Sequence, residues 1–262
     1  MSIQKSWAEL ETMHRACCIV VETLAALADV IKPGITTKEL DRIAHERITK
    51  AGAKSAFLGY RGRGNPPYPA TLCVAVNEEV VHGIPGKRTL NEGDIIGLDL
   101  GCVVDGFYGD SARSVAVGQV SPEAQRLLKV TEEALQRGIE QCHLGKRVGD
   151  IGHAVQQHAE SHGYSVVREF CGHGIGTHLH EEPSVPNHGP AGRRERLVAG
   201  MCLAIEPMVN VGSGDVRVLG DGWTAVTADG SLSAHFELSV AVTPSGPWVL
   251  SAPYPYAEAR HA

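Results

Sequence analysis

The stretch GDIIGLDLGCVVDGFYGDSARSVAVG (residues 93–118) places two strand-like runs on either side of the dipeptide Asp105-Gly106. That arrangement predicts a β-hairpin, because Asp-Gly readily supplies the two residues of positive φ that a tight turn needs. With a two-residue turn, Gly101 lies opposite Asp110, and Asp99 falls two residues along on the same face. The two carboxylates are then diagonal neighbours across one sheet. Carboxylates in an apolar strand lose their hydration, and two at this separation repel. Either one keeps a proton or a cation sits between them.

Three further residues stand in similar surroundings. GMCLAIEPMV (200–209) sets Glu206 after a largely apolar run, and LSAHFELSVAV (232–242) sets Glu237 beside Phe236, Leu238 and Val240. In FCGHGIGTHLH (170–180), His173 is flanked by glycines that let backbone or substrate come close. Any one of these residues alone could be a buried polar group satisfied by hydrogen bonds. Four carboxylates and one imidazole together form an oxygen-rich donor set. That set suits a pair of Mn, Fe, Co or Zn ions and does not suit a sulfur-ligated structural zinc.

The segments VNEEVVHGIP (76–85), GLDLG with DGFYGD (97–110), CGHGIGTHLHEEPSVPNHG (171–189), LAIEPM (203–208) and DGWTAVTADGSLSAHFE (221–237) resemble the type I methionine aminopeptidases. The resemblance runs from about residue 15 to about residue 245. The spacings from Asp99 to Asp110, His173 to His180 and Glu206 to Glu237 agree with it. It implies an α+β pita-bread fold, in which two pseudo-twofold halves form a curved antiparallel sheet backed by helices. It also implies two divalent metal ions as cofactors (Co, Mn, Fe or Zn), with Asp99 bidentate to one ion, Asp110 and Glu237 bridging, and His173 a ligand. Glu206 would be a ligand beside the attacking water, able to take its proton and pass it to the leaving nitrogen. His82 and His180 are similar to family residues that contact the substrate peptide bond. Phe57, Tyr60, Cys73, Leu179 and Trp223 would line the pocket for the methionine side chain, whose flexible thioether suits an apolar cavity. The implied activity is removal of the initiator methionine from nascent polypeptides when the second residue is small, with transient ribosome contact and a monomeric enzyme.

The chain departs from the family pattern in several places. Phe57 stands where cysteine is usual and Leu179 where an aromatic residue is usual, which exchanges bulk between two pocket walls. His235 replaces glutamine, and Leu238 replaces a histidine whose loss would alter support of Glu237. The stretch RGRGNPPYPATLC (61–73) is longer than usual and reads as a shaped loop over the cleft.

Composition agrees with an enzyme of this kind. With 262 residues and 43% apolar content, the chain can bury a large core as one catalytic domain, leaving residues 1–14 and 252–262 peripheral. A formal charge of −6 offers no basic field for nucleic acid, and the basic stretch Arg193-Arg194-Glu195-Arg196 reads as a solvated loop. Glu22 and Asp29 interrupt the first apolar run, which therefore reads as an amphipathic helix stopped by Pro33-Gly34, and no membrane span is expected. Seven cysteines without a C-x-x-C spacing suit reduced thiols in a cytoplasm. Cys171 beside His173 reads as a packed thiol in preference to a nucleophile. Gly172, Gly174 and Gly176 make no dinucleotide fingerprint, since Thr177 stands where a third glycine is needed.

The sequence also contains a faint repeat. KPGITTKELDRIAHERITKAG (32–52) aligns with HLGKRVGDIGHAVQQHAESHG (143–163) at an offset of 111, and LNEGDIIGLD (90–99) aligns with LVAGMCLAIE (197–206) at an offset of 107. Asp99 and Glu206 then occupy equivalent points of two halves. Two other functions compete with the aminopeptidase: an Xaa-Pro-cleaving enzyme, disfavoured by the short segment before Asp99, and a metal-free peptide-binding module, disfavoured because all five ligands are present.

Overall fold

The computed structural model describes residues 4–62 and 64–253. The chain opens with helices α1 (Trp7–Val30) and α2 (Thr37–Lys50), then strands β1 (Lys54–Ser55), β2 (Leu72–Val76) and β3 (Glu79–Val81). The long hairpin follows as β4 (Ile95–Val104) and β5 (Phe107–Ala116), and then come helices α3 (Pro122–Ile139) and α4 (Val148–Ser161). Beyond them lie β6 (Ser165–Val166), β7 (Gly172–Gly174), β8 (Glu181–Val185), β9 (Cys202–Ile205) and β10 (Met208–Asn210). The last strands are β11 (Val216–Val218), β12 (Ala225–Thr227), β13 (Ser233–His235), β14 (Glu237–Thr243) and β15 (Gly246–Val249).

Among the described residues the main sheet runs β1-β4-β5-β14-β9-β7-β8, with β2 added beside β4 and β15 beside β14. All of its pairings are antiparallel. The hairpin forms as its sequence predicts: Asp105 and Gly106 have φ of 49° and 84°, and Gly101 pairs with Asp110. Strand periodicity then sorts the side chains of β4. Ile96, Leu98, Leu100 and Cys102 pack against Ala16, Val20 and Leu24 of α1 and Leu40, Ala44 and Ile48 of α2, leaving Asp99 for the opposite face.

The helices begin where local chemistry caps them. At α1 the Ser6 hydroxyl accepts from the Glu9 N–H while the Glu9 carboxylate accepts from the Ser6 N–H at 2.7 Å, a capping box. At α3 the Ser121 hydroxyl accepts from the Ala124 N–H, and Pro122 occupies the first turn. The expectation that residues 1–14 are peripheral does not hold for the described part. Leu10 and Met13 are buried against Ile175 and Trp248, and Lys5 is ion-paired with Glu181. The apolar stripe of α1 simply begins in its first turns. Ala252 and Pro253 are exposed, and residues 254–262 lie outside the described range.

The repeat is visible in the backbone. Helices α2 and α4 are each 14 residues long and start 111 residues apart. The Thr37 N–H donates to the Arg88 carbonyl at 3.0 Å, and the Val148 N–H donates to the Glu195 carbonyl at 3.0 Å. The isolated bridges Thr36 to Thr89 and Arg147 to Arg196 obey the same two offsets. Each half thus anchors the start of its second helix on the segment leading into its own central strand.

Close helix-to-sheet approach depends on Gly109. A Cβ there would lie 2.6 Å from the Cys17 nitrogen and 2.7 Å from the Ala16 carbonyl carbon, both backbone atoms of α1 that cannot swing aside. Gly109→Ala is therefore expected to destabilise the protein by about 1–3 kcal/mol, as overpacking does. A lowered thermal midpoint with unchanged circular dichroism at low temperature is the expected result, and an unchanged midpoint contradicts it.

Candidate metal centre

Sheet pairing collects the five sequence-picked donors at one place. Ala112 of β5 pairs with Asp99 of β4 on one side and with Glu237 of β14 on the other, and Asp110 lies two residues along β5 on the same face. Leu238 pairs with Ile205 of β9, which brings the next residues out, Glu237 and Glu206, side by side. His173 of β7 pairs with Ala204 on the other edge of β9.

Burial gives this arrangement its electrostatic character. Asp110 and Glu237 are almost fully buried, and Asp99 Oδ1, Asp110 Oδ1 and Glu237 Oε1 are enclosed with no hydrogen-bond partner. Unsatisfied carboxylate oxygens facing one another are costly unless a proton or a cation compensates them. Burial accordingly raises Asp99 to about 7 and Glu206 to about 8. Asp110 and Glu237 are held well above the usual carboxylate range, first by burial and then by the neighbouring carboxylates.

The imidazole complements the acids. Burial lowers His173 to about 3, so its ring is neutral. Its Nδ1 donates to the Gly174 carbonyl at 2.9 Å, which leaves the lone pair on Nε2, 3.7 Å from Glu206 Oε1. One ligand atom from each of Asp110, His173 and Glu237 lies within 4.8 Å of the other two. Orphaned acceptors, a pre-oriented imidazole and the absence of Lys or Arg among the described lining residues fit a divalent metal ion.

The cavity above the acids is lined by all the residues singled out from the sequence: His82, His180, Phe57, Tyr60, Cys73, Leu179 and Trp223, together with the five donors. Tyr60 Oη lies 2.8 Å from His180 Nδ1, and the His180 ring lies 4.2 Å from that of His173. His82 adopts a positive φ of 62°, and burial lowers it to about 4. Phe57 fits because Gly101 faces it. A Cβ at that glycine would stand 2.9 Å from the Phe57 ring and 3.3 Å from Asp110 Oδ1.

Two further residues at the site carry no role that the sequence alone assigns. Tyr68 lines the same cavity and donates through its hydroxyl to the Gly83 carbonyl at 2.7 Å, tying the 61–73 loop to the residue after His82. The Trp223 indole N–H donates to the Pro66 carbonyl of that loop at 3.1 Å. Position in the proline-rich loop was the available signal for Tyr68. His235 is buried, with Nε2 lacking a hydrogen-bond partner 3.7 Å from Glu206 Oε2. Its departure from the usual glutamine marked the position but not its neighbour.

Other expectations are modified. Leu238 packs with the cluster that includes Leu135 of α3 and Phe236, and strand alternation turns it away from the Glu237 carboxylate. The leucine therefore supports the helix layer. Cys171 is only half-buried, not a core thiol, yet burial still raises its pKa and keeps it protonated. His178 projects into solvent, as a polar loop residue should. No helix among the described residues is long and apolar enough to cross a membrane.

Comparison with known proteins agrees with this geometry. The sequence pattern of metallopeptidase family M24 matches residues 11–244. The chain is 51% identical to a methionine aminopeptidase of Clostridium perfringens over 96% of its length and 99% of the relative. It is 49% identical to methionine aminopeptidase 1 of Bacillus subtilis, over 94% of this chain and 97% of that one. Its backbone superposes on the crystal structure of methionine aminopeptidase from Thermotoga maritima with a TM-score of 0.93 at 42% identity, over 97% and 100% of the two chains. A prolidase from Pyrococcus furiosus shares the fold at 20% identity and a TM-score of 0.76, with 66% of its own length matched.

Proposed function

The chain belongs to metallopeptidase family M24, among the bacterial-type methionine aminopeptidases, and from that premise we infer how its residues achieve metal-dependent removal of N-terminal methionine. The observation that carries the reading is the set of buried carboxylate oxygens without partners in one cleft that also has an apolar wall of Phe57, Leu179 and Trp223. Asp99, Asp110, His173, Glu206 and Glu237 would hold two divalent ions, since together they offer more donor atoms than one ion takes. Such ions, once bound, polarise the scissile carbonyl and make a water acidic enough to attack near neutral pH.

The remaining steps belong to side chains. Glu206 takes the proton of the attacking water and delivers it to the leaving amide nitrogen. His180 is set by Tyr60 at its Nδ1, which fixes the ring for hydrogen bonding toward the peptide carbonyl. His82, neutral at physiological pH, lines the same cavity and hydrogen-bonds the peptide. Phe57, Tyr60, Cys73, Leu179 and Trp223, with Tyr68, enclose the methionine side chain and exclude water. A small second residue is favoured, as the resemblance to the family implies. The natural substrates on this reading are nascent polypeptides.

The test is release of free methionine from Met-Ala-Ser by protein stripped of metal and refilled separately with Co, Mn, Fe or Zn. Activity is expected to vanish on stripping and to return with at least one ion. No release with any of the four contradicts the reading, and release from Xaa-Pro dipeptides in place of Met-Ala-Ser redirects it to the other branch of the fold.

A further inference from the structure

A second cluster of metal-binding side chains lies outside the cleft, on the pair of helices α3 and α4. We propose that Glu133, His158 and His162 form an additional site for one divalent transition-metal ion of the zinc type. His158 and His162 are four residues apart at the end of α4, so one helical turn stacks them on the same face. Their rings are 4.6 Å apart, and Glu133 of α3 reaches across to place its Oε2 3.1 Å from His158 Nε2. One ligand atom from each residue lies within 4.8 Å of the other two. None of the three lines the catalytic cavity.

The surroundings hold these groups in place. The His162 Nδ1 donates to the His158 carbonyl at 2.8 Å, an outer hydrogen bond of the kind that fixes the tautomer of a ligating imidazole. Arg126 is engaged elsewhere, donating to the His162 carbonyl at 3.0 Å and lying over the Tyr164 ring. Lys129 approaches Glu133 only at Oε1, 3.8 Å away, which leaves Oε2 on the histidine side. All three residues are half-buried, so an ion can reach them from solvent while the helices restrain their motion.

The donor set defines the ligand class. Two imidazoles and one carboxylate match the protein ligands of open zinc sites, with water completing the coordination. Such nitrogen-rich sites favour Zn, Ni or Cu over Mn or Mg, in contrast to the oxygen-rich cleft. Binding would take the place of the contact between His158 Nε2 and Glu133 Oε2. The ion would clamp α3 to α4 behind the second half of the sheet.

The experiment is to equilibrate the metal-loaded enzyme with excess zinc and count total ions per chain by dialysis and elemental analysis. Wild type is compared with His162→Gln and with Glu133→Gln. Each variant is expected to hold one ion fewer than wild type, to lose the zinc-induced rise in thermal midpoint, and to release methionine at the wild-type rate. Equal ion counts in wild type and both variants overturn the proposal, whatever the activity. Either variant suffices for the comparison if the other fails to fold.

Discussion

Replacing Glu206 by glutamine is expected to lower methionine release about a hundred- to ten-thousandfold, the range a positioned proton-transfer group contributes. Glu206 differs from its neighbours in position. With Asp99 it is one of the two partly exposed acids of the cluster, whereas Asp110 and Glu237 are buried. It stands between two imidazoles, with Oε1 3.7 Å from His173 and Oε2 3.7 Å from His235. Burial raises it to about 8, so it holds a proton readily, while a nearby cation would draw it back toward the ionised form. A group with that balance can accept a proton from water in one step and donate it in the next. Glutamine keeps the shape and one acceptor oxygen but cannot carry the proton. The expected signature is a fall in kcat with KM little changed and the metal content retained. A Gln variant that binds the same ions and keeps wild-type kcat would falsify the assignment.

The second large effect concerns stability against pH in metal-free protein. Asp99 and Glu206 are raised to about 7 and about 8, above their values in the unfolded chain. Carboxyls with raised folded pKa values bind more protons in the folded state, so their stabilisation is fully present below the unfolded value of about 4 and is lost as the pH rises from there through the folded values of about 7 and about 8. Asp110 and Glu237 add to the same trend. His173 and His82 act oppositely below their unfolded value of about 6.5, because the folded protein keeps them neutral. The two effects oppose each other in acid, and as the pH rises past about 6.5 the histidine effect fades while the carboxyl effect continues. Metal-free protein is therefore expected to lose several degrees of thermal midpoint between pH 6.5 and 8. Metal-loaded protein should show no such loss, because bound cations keep the carboxylates ionised and bind more tightly as protons leave. Parallel profiles for the two forms would show that the acids do not share a common cation.

The same physics explains how much of the site is legible in the sequence. The hairpin and its register follow from Asp105-Gly106 and the two-residue period of a strand, so the relation of Asp99 to Asp110 is fixed locally. The repeat at offsets of 111 and 107 is readable because each half solves the same capping and anchoring problem with similar residues. The loop position of Tyr68 and the departure from glutamine at His235 mark both places in the sequence, but neither shows which groups the side chain meets in the fold. Leu238 adjoins Glu237 in the sequence, yet alternation of the strand assigns it to the helix layer.

By itself the sequence determined the local geometry of this protein: the turn, the alternation that separates Asp99 from Leu98 and Leu100, the helix starts, and the presence of acids where apolar residues belong. The tertiary structure alone decided that Ala112 is flanked by Asp99 and Glu237, that Glu206 meets His235, and that His82 and His180 share one cavity. It also decided that Glu133 on one helix reaches two histidines on the next. Local conformation is set by sterics and short hydrogen bonds within a few residues, whereas distant pairings are chosen by burial of whole sheet and helix faces, to which no single segment holds the pattern.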